Sequence, residues 1–184
     1  MEEVIKSQRY LNNKKLQEFH VQYNLKDGKI LPIKYYKRKG DGNIDMDSNE
    51  DIQIEYHLYD DYANPLELSK AEGSHIYYLW GYEGQYPIAK IENTTRAALE
   101  AVLGYLKDVD ESALPLINGL RSNDTFKDAM ITTYTYDPLI GMTSMTDPRG
   151  RKTTYDYDAY GRLESTRDAD NYLLEEYKYH YRNQ

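Results

Sequence analysis

A net charge of −8 over 184 residues argues against a nucleic-acid surface. The absence of cysteine removes disulfides and thiolate metal sites, and no apolar run reaches the length of a membrane span. The aromatic content is 21 Tyr against 2 Phe and 1 Trp, a composition that fits broad half-buried sheets better than a deep apolar core.

The N-terminus, Met1-Glu2-Glu3-Val4-Ile5-Lys6, lacks the basic and apolar regions of a signal peptide. Residues 4–13 read as a strand closing on an Asn-Asn turn. Phe19, Val21, Tyr23 and Leu25 alternate on one face, Asp27-Gly28 fits a two-residue hairpin turn, and residues 30–37 form the return strand. The short basic run from Lys34 to Lys39 reads as one face of that strand. Residues 40–51 alternate acidic and amide side chains in the manner of a calcium loop. Met46 stands where the sharp-turn glycine belongs, however, and Ile52 replaces the bidentate glutamate, so a solvated loop is expected.

Residues 52–73 read as another hairpin, with Tyr59-Asp60 at its turn and Ala63 where a glycine would favour positive φ. That replacement predicts a different turn geometry. His75 to Tyr82 is expected as a buried strand, with Gly81 marking a bulge or close approach, and residues 87–91 as a further strand. The pattern then turns helical. Ala98, Leu99, Val102, Leu103 and Leu106 form one stripe over residues 95–107, capped by Thr94 or Thr95. Leu114, Ile117 and Leu120 mark a second helix over 110–120, with Pro115 in its first turn. Residues 123–129 lead back to strands.

The last third repeats. Tyr136-Asp137 recurs as Tyr157-Asp158, and Asp147 recurs as Asp168, each 21 residues on; such a period marks stacked units. Each unit alternates aromatic with polar residues, then turns on an aspartate whose carboxylate can accept backbone N–H groups two residues on. Gly141, Gly150, Gly161 and Asn171 supply the positive φ. One unit is therefore a β-hairpin, and Tyr172 to Tyr181 begins another. The expected fold is mainly β, a stacked antiparallel β-hairpin sheet with a two-helix insertion. Its segments are 1–93, 94–122 and 123–184, within one structural domain.

The phrases Tyr136-Asp137…Gly141…Asp147-Pro-Arg-Gly150 and Tyr157-Asp158-Ala-Tyr-Gly161-Arg162-Leu163…Asp168 resemble the YD repeat of the Rhs family, with Tyr59-Asp60 a degraded copy. YLWGYEGQYPIAKIEN (78–93) and TTYTYDPLIGMTSMTDPRG (132–150) look like the Bacteroidetes form. The resemblance implies a long sheet that spirals into a shell and belongs to a large secreted or cell-surface protein. Such shells enclose a toxin in many members and serve adhesion in animal relatives. It also implies that this chain is a fragment or a short member.

Two functions follow as expectations. The first is a non-catalytic structural scaffold whose partners are neighbouring YD repeats, or copies of itself, through sheet edges, with a toxin cargo as the family's other association. The second is a carbohydrate-binding module using Trp80 and Tyr82. Periodic aromatics ordinarily pack across strands, which favours the first. No catalytic, metal or cofactor residues are assigned. The pairs Asp60/Asp61 and Asp168/Asp170 are better explained by turns than by acid/base chemistry, and His20, His57, His75 and His180 have no ligand spacing. Asp147-Pro-Arg-Gly150 resembles the family's self-cleavage motif but lacks its partner carboxylate.

Overall fold

The computed structural model describes residues 2–71 and 73–180; Tyr181, the end of the repeating stretch, lies outside them. Among the described residues, twelve strands neighbour one another in chain order in one antiparallel sheet. They are β1 (Glu2–Leu11), β2 (Lys14–Lys26), β3 (Lys29–Lys39), β4 (Ile52–Tyr59), β5 (Pro65–Lys70), β6 (His75–Gly81), β7 (Tyr86–Glu92), β8 (Met130–Asp137), β9 (Gly141–Thr146), β10 (Lys152–Tyr157), β11 (Leu163–Arg167) and β12 (Leu173–Glu176). Two short helices, α1 (Arg96–Leu103) and α2 (Leu114–Gly119), lie between β7 and β8. Packing divides the chain into two compact units, Met1–Tyr77 and Tyr78–Gln184. No helix among the described residues is long and apolar enough to cross a membrane.

In the first unit the two tight hairpins form where the sequence places them. Asn12 and Asn13 take φ of 49° and 62°, and Asp27 and Gly28 take 50° and 76°. Positive φ at both central residues matches the right-handed twist of the flanking strands. The basic run does not share one face: Lys37 lies opposite Phe19 and Lys34 opposite Gln22, because neighbouring strand residues point to opposite sides. Residues 40–51 are not simply solvated. Ile44 is buried with Tyr36 and Ile52, and Met46 packs on them. Asp51 is buried as well, where its carboxylate accepts from Arg38 Nε at 2.8 and 2.9 Å. The loop alternates acidic residues for solvent with Ile44 and Met46 for the sheet, and only the former signal is obvious in sequence.

In the second unit Thr95 caps α1, its Oγ1 accepting from Ala98 N–H at 3.2 Å. The helix stops at Leu103 rather than running to Lys107, because Gly104 leaves the helical region at φ 77°. Val102 is consequently exposed while Leu99 and Leu106 are buried. Pro115 sits at the start of α2, where its missing N–H costs nothing. Ile117, Leu120 and Phe126 are buried, Phe126 from a linker that showed no periodicity. The insertion docks by specific contacts. A Cβ on Gly81 would lie 2.7 Å from Ile88 Cγ2 and 3.0 Å from Glu111 N, and Tyr82 N–H donates to Glu111 Oε2 at 2.7 Å. The close approach expected at Gly81 is real.

Candidate functional site

The repeat signature builds one turn several times over. Asp158 Oδ1 accepts from Tyr160 N–H at 2.9 Å and Arg162 N–H at 3.0 Å. Asp158 N–H donates to Arg162 O, and Gly161 N–H to Asp158 O, both at 2.9 Å. Asp147 repeats this with Arg149 and Arg151, Asp168 with Asp170 and Tyr172, and Asp60 with Tyr62 and Asn64. The side chain four residues on closes the ring in three of them: Arg162 Nε and Arg151 Nε each reach the second carboxylate oxygen at 2.8 Å, and Asn64 Nδ2 does so at 3.0 Å. Asp168 therefore spends its carboxylate on its own turn, as does Asp60. Because Asp147, Asp158 and Asp168 are eleven and ten residues apart, the 21-residue period contains two copies of this turn.

The residue before the closing position has positive φ in every copy: Gly150 78°, Gly161 71°, Asn171 66° and Ala63 74°. The degraded unit thus keeps the same geometry with an alanine, against expectation, since five hydrogen bonds hold Ala63 where its Cβ is disfavoured. Ala63→Gly is expected to stabilise the protein by roughly 0.5–1 kcal/mol, the left-handed cost of an L-residue less glycine's extra freedom in the unfolded chain. Urea titration checks it.

Asp137 departs from the pattern. It is exposed, and its turn closes by Ile140 N–H to Asp137 O at 3.1 Å. The positive φ falls on Leu139, at 73°, after Pro138, which is the order of a type II turn. Ile140 holds the position that glycine fills elsewhere, and a β-branched side chain resists positive φ.

Gly141 is consequently not the left-handed turn residue; its role is close approach. A Cβ there would lie 2.5 Å from the Tyr157 hydroxyl and 2.9 Å from Cζ. The Tyr157 hydroxyl donates to Met142 O at 3.0 Å. The tyrosine of one hairpin thus lies on the glycine of the preceding one and bonds its backbone. Tyr179 donates to Leu163 O at 2.9 Å beneath the Arg162 guanidinium, 4.2 Å from its ring centre. Tyr59 donates to Pro32 O at 2.5 Å. Tyr136 stacks on Tyr86 at 4.7 Å, and burial first, then the neighbouring tyrosines, push its hydroxyl up to about 12.

Of the two residues expected to contact a glycan, Tyr82 is engaged within the second unit. Its ring meets Tyr86 and Tyr136 edge-on at 5.8 Å, and its hydroxyl accepts from Tyr136 N–H at 3.0 Å. Trp80 is half-buried on β6. Sequence reading missed Arg121, whose guanidinium donates to Ile131 O at 2.8 Å, to Thr146 O at 3.3 Å and to Asn118 Oδ1. Burial lowers its pKa. It pins the insertion to β8 and β9.

The turns make stability depend on acid. The Arg162 side chain holds the Asp158 carboxyl below the usual range, and the Arg151 backbone N–H does the same for Asp147. A depressed folded value contributes stability above the unfolded pKa of about 3.9, which is lost as pH falls through the lower folded value. Thermal midpoints are therefore expected to fall below about pH 4, and to fall less steeply in the double variant Asp147→Asn, Asp158→Asn.

No curated protein matches the chain. Residues 141–172, which run from the glycine under Tyr157 through the Asp168 turn, match the family model described as RHS Repeat. That stretch is an RHS repeat by sequence as by turn geometry.

Proposed function

We propose that the chain is a non-catalytic scaffold module of a secreted or cell-surface Rhs/YD-repeat protein, supplying a wall segment of the kind of shell that encloses a toxin in this family. The observation that carries the reading is the use of the signature residues. Asp147, Asp158 and Asp168 are consumed by their own turns, and the Tyr157 hydroxyl by the preceding hairpin. Side chains so committed maintain a sheet and are not free for chemistry.

The partner of such a module is more sheet. β12 is exposed throughout, as is β1 in every described side chain, and an unpaired strand edge is a template for another strand. Neighbouring YD repeats, or a second copy, therefore bind at these edges. Sedimentation velocity from low to high micromolar concentration is the test. Concentration-dependent assembly, abolished by Glu175→Pro in β12 together with Lys6→Pro in β1, supports the reading. A monomer at every concentration that also ignores added YD-repeat chains overturns it. Protease shaving of intact cells tests the location: release of fragments supports surface display, and recovery only after lysis contradicts it.

A further inference from the structure

The first unit contains a polar cluster outside the repeat signature. His57, Ser69, Glu67, His75 and Tyr77 come together across three strands. In the ladder of β4 with β5, Tyr56 faces Leu68 and Leu58 faces Glu67, so His57 is the extra residue of a β-bulge. A bulge re-aims a side chain, and here it turns His57 toward β5 and β6. The imidazole nitrogen Nε2 lies 2.8 Å from Ser69 Oγ, and the ring stacks on His75 at 5.1 Å, with planes 19° apart. His75 Nδ1 lies 2.7 Å from Glu67 Oε1, which also accepts from the Tyr77 hydroxyl at 3.3 Å. Glu67, Ser69 and Tyr77 are buried, whereas His75 is half-buried and His57 exposed. Four histidines scattered through the sequence gave no sign that two of them meet.

We infer that this stacked histidine pair is a proton-responsive clasp: it holds β4, β5 and β6 together at neutral pH and loosens them when both imidazoles carry a proton. The two rings face different partners. A proton on His75 sits against the Glu67 carboxylate and completes an ion pair. A proton on His57 has a neutral hydroxyl as its hydrogen-bond partner and a cationic ring 5.1 Å away. Stacking that is favourable between neutral rings then becomes repulsion between like charges.

The other charged groups facing the cluster leave this balance in place. On β4, Glu55 is paired with Lys34 of β3 at 3.4 Å, and the Tyr59 hydroxyl donates to Pro32 O. On β5, Lys70 alternates to the face opposite Ser69. On β6, Tyr77 joins Glu67. Because both rings reach solvent, protons exchange with them without unfolding.

Residue-resolved amide hydrogen exchange on the full chain at pH 7.5 and pH 5.0, corrected for the intrinsic pH dependence of exchange, tests the clasp. Two unit charges about 5 Å apart repel enough, even at water-like screening, to change an opening equilibrium about four-fold. Wild-type β4–β6 amides are expected to lose at least that protection at pH 5.0, while His57→Gln, which keeps a side-chain amide beside Ser69 but takes no proton, loses none. His75→Asn is the second variant and is also expected to be flat, since it leaves a single imidazole. At pH 5.0 the depressed Asp147 and Asp158 carboxyls keep their charge, so loss of those turns does not mimic the effect. An equal loss in His57→Gln and wild type overturns the inference. So does a wild-type loss confined to β1–β3, which would assign it to His20 beside Glu18.

Discussion

Gly141→Val is expected to destabilise the protein by roughly 3 kcal/mol, the sum of overpacking and a strained backbone. The glycine has φ of 155°, a conformation that side-chain-bearing residues rarely adopt, and the space its Cβ would need is filled by the Tyr157 ring. Two responses are open to the variant. Either the ring leaves and its bond to Met142 O is lost, or β9 shifts away from β10. Both break the register that begins at Ser144 opposite Thr154. Urea unfolding should show a lower midpoint with an unchanged slope. In protein NMR the chemical-shift changes should centre on Met142 and Tyr157. A cost below about 1 kcal/mol would mean that the ring is not held there.

Ile117→Ala is the second large effect, expected at about 2–4 kcal/mol because the side chain is fully buried and its truncation leaves a cavity. Ile117 lies on α2, which packs against β8, and its neighbours tie that helix down. Asn118 Oδ1 accepts from Thr133 Oγ1 at 2.9 Å, and Arg121 grips Ile131 O and Thr146 O. The insertion is thus part of the core of the second unit and not an ornament on a finished sheet. Circular dichroism and urea unfolding of Ile117→Ala should move together. Loss of helical signal with an unchanged sheet midpoint would show instead that the insertion folds separately.

These effects bear on what the sequence could reveal. Asn12-Asn13, Asp27-Gly28 and the Asp-x-x-Gly turns were legible because their chemistry is complete within five residues. The hairpin architecture followed from them; a threonine cap at 94 or 95 and a bulge or close approach at Gly81 were also legible, and the structure settles them on Thr95 and on close approach. What was not legible depends on residues far away in the chain. Ala63 takes a glycine's conformation because Asp60 makes the full set of turn bonds. Gly141 is a glycine because of Tyr157, and its neighbour Leu139 carries the positive φ that Gly141 was expected to supply. Arg121 looks like an ordinary surface cation until its carbonyl partners on β8 and β9 are in place. His57 and His75 face each other only because of a bulge, which no local pattern announces.

The acid response separates two layers of the structure. The Asp147 and Asp158 turns lose their contribution only below about pH 4, where their depressed carboxyls protonate. The histidine pair lies in the first unit alone. A sheet that keeps its turns intact while one region loosens would respond locally to acidification.

The signature tyrosine and glycine of successive hairpins form one contact at Tyr157 and Gly141, and a double-mutant cycle between Gly141→Ala and Tyr157→Ala measures that contact directly. If the Tyr157 ring occupies the space above Gly141, removing it relieves the clash. The alanine at 141 then costs at least about 1 kcal/mol less in the Tyr157→Ala background than in the wild type. Costs that add to within about 0.3 kcal/mol would contradict the account, because residues that do not touch are additive.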